Sequence, residues 1–279
     1  MKCNGGQKME KIEVLDFIIK ELGNRNRKIR VILPNDYYQN IHAKYPVIYM
    51  HDGQNLVDPS GVSGYSWDVA KSITKLVDQK VIEGVIIVGI DSDDTYRIPE
   101  YTNAISKKAE KGIKKFTKGA LFLPEAHLYG KFIVEVLKPY IDAHYRTKSD
   151  RENTAIAGSS CGGNVSMYLG TVYNEIFGII GAFSPAYWIV KEDLFDRVAN
   201  KNYLDNTKIY HDMGGKENKF LSVFTCVKDA KKFDQILTKK ITDSSRRLFI
   251  LDKKATHTEL FWQDRFPHFI SWAFGVKTV

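Results

Sequence analysis

The chain has 279 residues, 43% of them hydrophobic and 12% aromatic, with a formal net charge of +8. That length can bury a sizeable core, and the composition excludes disordered, collagen-like and coiled-coil chains. Its lysines lie in scattered groups, such as Lys107-Lys108, Lys114-Lys115 and Lys231-Lys232, which reads as a solvated basic face and not as a nucleic-acid-binding arm.

The N-terminal stretch MKCNGGQKMEK lacks the apolar core of a signal peptide, and no apolar run reaches the ~18 residues of a membrane span. Cys3, Cys161 and Cys226 are odd in number, without CxxC or zinc spacing, so neither a disulfide framework nor a structural metal is expected. A reducing cytoplasm is the expected compartment. With no repeat and no low-complexity linker, residues 1–279 read as one domain, with 1–27 as a peripheral N-terminal segment.

Taken in order, short apolar runs alternate with amphipathic stretches. Residues 30–33 (RVIL) end at Pro34, and 46–50 (PVIYM) lead into His51-Asp52-Gly53. Residues 85–90 (VIIVGI) are apolar nearly throughout, as in a strand covered on both faces. Strands are also expected at 154–157, 178–184, 208–213 and 246–251. Helical spacing marks 66–77, 128–144, 162–173, 220–237 and 260–274, with Pro139 expected to kink or interrupt the second. The lysine-rich stretch 106–118 reads as a surface excursion. Strands alternating with helices predict an α/β fold, a mostly parallel sheet with helices on both faces.

One junction carries chemistry. The strand at 154–157 runs into Gly158-Ser159-Ser160-Cys161-Gly162, which contains Gly-x-Ser-x-Gly at a strand-to-helix turn. A serine there stands exposed on a strained turn, and flanking glycines let the backbone pass close to itself. The following helix points its N-terminus at the site, which favours a developing oxyanion. Ser160 is the candidate nucleophile.

A serine hydroxyl needs a general base, usually histidine oriented by a carboxylate, and in this arrangement the chain order is Ser, acid, His. Downstream of Ser160 lie only His211, His257 and His268. His257 follows the last strand by a short loop and precedes a helix, where the base belongs. His211 sits within a strand run and reads as structural. His268, beside Pro267 in the final helix, reads as surface or packing. The N–H of Cys161, next after the nucleophile, is the first expected oxyanion donor.

The chain resembles the esterase family of α/β-hydrolases that includes feruloyl and acetyl-xylan esterases, S-formylglutathione hydrolase, siderophore esterases and mycolyltransferases. The resemblance runs from about Lys28 to Phe274. It rests on 30–34, on 45–56 with His51-Asp52-Gly53-Gln54-Asn55, on Arg97 with Glu100-Tyr101-Thr102, and on 137–147. The elbow, Ser184-Pro185, Gly214-Gly215-Lys216-Glu217, and His257 with Trp262 complete it. It implies the α/β-hydrolase fold, with Glu217 as the triad acid and Asp212 as the alternative. It implies Gln54 as the second oxyanion donor. Tyr187 and Trp188 would flank the substrate, or else pack in the core, and Arg97, Glu100 and Tyr101 would line the entrance. Asn103 stands where the family often has proline, so that loop departs from the pattern.

The implied activity is carboxylic-ester hydrolysis through an acyl-enzyme on a small-molecule or carbohydrate ester, acetyl or hydroxycinnamoyl, without metal or organic cofactor. A siderophore trilactone esterase, an acyltransferase using the same triad and a non-catalytic binding module are the competing readings. No nucleic-acid or membrane partner is expected, and the oligomeric state is not legible.

Overall fold

The computed structural model describes residues 11–59, 64–107, 109–110, 123–217 and 223–276. Among these residues, eight strands form one sheet: β1 (Lys11–Ile19), β2 (Arg25–Leu33), β3 (Val47–His51), β4 (Ile86–Ile90), β5 (Thr154–Ser159), β6 (Ile179–Phe183), β7 (Lys208–Gly214) and β8 (Arg247–Asp252). Their spatial order is β1-β2-β4-β3-β5-β6-β7-β8. β1 pairs antiparallel with β2, and β2 with β4; every later pair is parallel. The alternating pattern predicted such a mostly parallel sheet, and the arrangement is the α/β-hydrolase fold that the resemblance implied.

The helices are α1 (Val69–Asp78), α2 (Arg97–Glu100), α3 (Ala126–Phe132), α4 (Lys138–His144), α5 (Cys161–Val172), α6 (Tyr187–Asn200), α7 (Val223–Lys240) and α8 (Glu259–Phe274). β3, β4, β5 and β6 are buried at every position, which is why they read as apolar runs without alternation. Successive side chains still divide between the two faces. Tyr49, Val88, Ile156 and Ile180 pack in one core with Tyr129, Phe132, Val165 and Leu169. Met50, Ile87, Ala157 and Ile179 pack in the other with Ile73, Leu76, Phe266 and Phe269.

Pro139 interrupts its helix in a specific way. It has no N–H to give to the carbonyl four residues back, and a π turn over Ile133–Leu137 absorbs the mismatch between α3 and α4. Three of these elements, β1, the short α2 and α6, escaped the sequence reading. The segment set apart as peripheral contributes β1, nine residues paired in full register with β2. Its outward Val14 and Ile18 are exposed and spoil the alternation expected of an edge strand. Helix α6 begins at Tyr187 itself. The lysine-rich excursion at 106–118 falls mostly outside the described residues.

Candidate active site

All parallel strands end on the same side of the sheet, and the predicted site residues collect on the loops there. β5 delivers Ser160 at φ 57° and ψ −121°, a backbone conformation that non-glycine residues rarely adopt. The strained turn is braced on both sides. The Ser160 N–H donates to the Phe183 carbonyl at 2.9 Å, and the Ser160 carbonyl accepts from the N–H groups of Asn164 at 3.2 Å and Ala186 at 3.1 Å. Gly158 is required by space: a Cβ there would lie 2.9 Å from the Gly162 carbonyl carbon and 2.9 Å from His51 Cδ2. Ser160 itself is half-buried and reachable.

Cys161 is the first residue of α5, so its N–H belongs to the helix end whose amides lack intrahelical partners. Its side chain is 5% exposed, and burial raises the thiol pKa against the opposing pull of the nearby Arg97 charge.

The loop after β3 packs directly against this elbow. A Cβ on Gly162 would lie 3.3 Å from His51 Cβ and 3.4 Å from Asp52 Oδ2. Gln54 sits in a single helical turn, Gly53–Asn55. Its side-chain amide is locked on Ser92, donating to Oγ at 2.7 Å and accepting from the backbone N–H at 2.9 Å. Gly53 leaves no room for a side chain: a Cβ would meet the Gly89 carbonyl carbon at 2.6 Å and Asp91 Oδ1 at 2.7 Å. Below the loop, His51 Nδ1 shares a hydrogen bond with the Tyr129 hydroxyl at 2.9 Å. Burial pushes the His51 pKa down to about 3, so the ring is neutral.

At the far end of the sheet, Glu217 follows β7 and His257 follows β8. The two are brought together through a hydrogen bond between His257 Nδ1 and Glu217 Oε2. Glu217 Oε1 accepts the Gly214 N–H at 2.9 Å, so both carboxylate oxygens are engaged. Glu217 is 2% exposed, whereas the His257 side chain keeps 30% of its surface open. Trp262 meets the His257 ring edge-on at 5.1 Å and 86°. Behind it, Trp67 packs on Trp262 and Phe183, joining the histidine loop to the strand whose carbonyl braces Ser160.

Asp212 is occupied elsewhere. It is fully buried, ion-paired with Arg265 Nε at 2.9 Å, and accepts from the Tyr210 hydroxyl at 2.6 Å and the Ser184 N–H at 2.8 Å. Burial raises its pKa, opposed by the Arg265 charge. His211 is buried and stacked on Phe249, and His268 is exposed.

The residues expected around the substrate divide. Trp188 is half-buried. Tyr187 is 1% exposed and stacks on Phe233 at 4.6 Å, a packing position with no face to solvent. Glu100 and Tyr101 are both fully buried. Glu100 pairs with Arg25 and Arg27, each at 2.9 Å, and the Tyr101 hydroxyl accepts the Asp52 N–H at 3.1 Å; they form a foundation instead of an entrance. Arg97 is a quarter exposed and forks onto Asp52, with Nε–Oδ1 at 2.6 Å and Nη2–Oδ2 at 2.8 Å. Sequence reasoning gave Asp52 no role, because nothing in a sequence signals an Asp–Arg contact spanning 45 residues.

The pattern of the family described as "Putative esterase" matches residues 19–272. The chain belongs to that esterase family. Among curated proteins it is similar to Uncharacterized protein YbbA of Bacillus subtilis, at 21% identity over 257 residues, covering 90% of this chain and 93% of that one. Among solved structures, a ferulic acid esterase superposes with a TM-score of 0.69 at 18% identity, covering 95% of this chain and 98% of that one. The enterobactin esterase FES from Shigella flexneri gives 0.71 at 15% identity, covering 97% of this chain and 60% of that one. At such identities the structural likenesses establish the fold alone. Family membership makes this chain an esterase, a carboxylic-ester hydrolase. No helix among its described residues is long and apolar enough to cross a membrane.

Proposed function

We propose that this esterase is a serine hydrolase acting through an acyl-enzyme, with Ser160 as nucleophile, His257 as base and Glu217 as the acid that orients it. The observation that carries the reading is the buried Glu217 hydrogen-bonded to a partly open His257, on the strand ends that also present Ser160 at its strained turn. Ser160 Oγ attacks the ester carbonyl while His257 Nε2 takes its proton. Glu217 keeps the remaining ring proton on Nδ1 and stabilises the imidazolium. The N–H groups of Cys161 and Gln54 receive the oxyanion. His257 then protonates the leaving alcohol and activates water to release the acid.

For substrate we propose acetyl or hydroxycinnamoyl esters of carbohydrates, supported by the likeness to a ferulic acid esterase and by the His51-Asp52-Gly53-Gln54-Asn55 loop. Trp188, half-buried after Ser184-Pro185, is kept as the candidate substrate contact. A siderophore trilactone is the second reading, favoured by the likeness to an enterobactin esterase and by the net charge of +8. Transfer of the acyl group to an alcohol would use the same triad. We keep the cytoplasm as the proposed compartment, on the sequence reading of its cysteines.

The test compares wild type with Ser160→Ala on p-nitrophenyl acetate, methyl ferulate and enterobactin, with fluorophosphonate labelling alongside. Wild type should turn over and label, and Ser160→Ala should lose both, at least about 10³-fold in turnover. A wild type that neither labels nor hydrolyses any of these esters refutes the serine mechanism. Cleavage of enterobactin but not methyl ferulate selects the second substrate reading. Products formed with added acceptor alcohols separate transfer from hydrolysis.

A further inference from the structure

Arg97 was expected at the substrate entrance, yet its Nε and Nη2 are spent on Asp52. Asp52 is 5% exposed and stands at φ 57° and ψ 50°, a left-handed conformation that a residue with a Cβ holds only when its surroundings impose it. Three contacts impose it here. Arg97 grips the carboxylate, the Tyr101 hydroxyl accepts the backbone N–H at 3.1 Å, and Oδ2 abuts Gly162 of the elbow. Asp52 lies two residues before Gln54, and its carboxylate and the Arg97 charge both act on Cys161. Asp52 therefore lies between the turn that carries Gln54 and the elbow that carries Cys161.

Arg97 is itself anchored. The helix that begins with it ends at Glu100, fully buried and paired with Arg25 and Arg27 of β2. A rigid path thus leads from the sheet through Glu100 and α2 to Arg97, then to Asp52 and the loop that carries Gln54. Burial alone would raise the Asp52 pKa, but the Arg97 charge and hydrogen bonds outweigh it and hold the carboxyl below the usual carboxylate range.

We propose that Arg97 and Asp52 are paired positioning residues that hold the Asp52–Gln54 loop against the Ser160 elbow, so that both oxyanion donors converge on one point. This rests on the serine-esterase reading above. The pair has no net charge and leaves only a dipole's field, and the proposal assigns its effect to geometry.

A purely electrostatic account and the positioning account part at Asp52→Asn. Asp52→Asn leaves the guanidinium unneutralised beside the oxyanion, and on electrostatic grounds alone turnover should rise. Arg97→Met leaves an uncompensated carboxylate there, and turnover should fall. If the pair positions the loop, both single variants lower kcat by roughly 10- to 100-fold with KM nearly unchanged, because misplacement on the scale of an ångström costs that much. The double variant should then be no worse than the worse single, since the two residues act as a unit. The measurements are kcat, KM and the fluorophosphonate labelling rate on the full chain, with Tm recorded for each variant. Arg97→Lys, which keeps the charge but not the fork, guards against a variant that fails to fold; it too should lose turnover.

An unchanged or raised kcat in Asp52→Asn overturns the proposal, as does full activity in Arg97→Lys. A rise in KM alone for Arg97→Met also overturns it, by making Arg97 a substrate contact. A wild type that refuses the fluorophosphonate fails the esterase mechanism itself, which is a different result from a labelled wild type with equally labelled variants.

Discussion

Replacing Glu217 by glutamine isolates the step on which the proposed mechanism turns. The substitution preserves volume and leaves an oxygen to accept the Gly214 N–H, so the loop after β7 should keep its shape. What changes is the group facing His257 Nδ1. A carboxylate oxygen accepts from a protonated Nδ1, whereas an amide NH₂ forces Nδ1 to act as acceptor and moves the ring proton to Nε2. Nε2 is where the Ser160 proton must go, so the favoured tautomer is the unproductive one. The imidazolium formed during acylation also loses its counter-charge in a site where Glu217 is 2% exposed. In a serine triad such a change costs on the order of 10³–10⁴ in kcat, or about 4–5.5 kcal/mol of transition-state stabilisation. The assay is steady-state turnover of p-nitrophenyl acetate with the labelling rate measured in parallel, and Tm to verify folding. Asp212→Asn serves as the comparison. If Glu217→Gln keeps activity near wild type while folded Asp212→Asn loses it, the assignment of the triad acid is refuted.

Three further outcomes are expected. Gly53→Ala should lower both Tm and activity, because its Cβ would lie 2.6 Å from the Gly89 carbonyl carbon and a backbone atom cannot swing aside; thermal melting and turnover check it. Arg265→Met should destabilise by about 3–5 kcal/mol in denaturant titration by stranding the buried Asp212 carboxylate, while active-site titration finds labelling retained in the folded fraction. His51 is neutral in the fold down to a pKa of about 3, whereas an unfolded histidine binds a proton near pH 6.5. Between those values the unfolded state holds more protons, so the stability from burying the neutral ring is complete above pH 6.5 and declines as pH falls toward 3. His51→Gln should therefore show a shallower loss of Tm from pH 6.5 to 4 than wild type; an identical slope would remove His51 as the cause.

Much of this protein is legible locally. The central strands announce themselves because a strand covered on both faces must be apolar throughout, as at 47–50 and 86–90. The elbow at Gly158, Ser160 and Gly162 is legible because a sharp strand-to-helix turn tolerates few residue types, and His257 is the proposed base because, of the three histidines after Ser160, it follows the last strand by a short loop. The edge strand β1 escaped because its partly solvated face carries Val14 and Ile18 where alternation calls for polar residues.

Contacts between distant segments were decided by the tertiary structure alone. The sequence leaves Glu217 and Asp212 as rival acids five residues apart, one just past the strand that ends at Gly214 and the other within it. Only the packed chain sends Asp212 inward to Arg265 of α8 and turns Glu217 toward His257. Likewise Arg97 reads as an entrance residue until the fold lays α2 beside the loop after β3 and Asp52 takes its Nε and Nη2. The physical reason is common to both cases. Burial makes an unpaired charge so costly that each buried ion must take a partner, and which partner lies within reach is set by the arrangement of strands, not by their order along the chain.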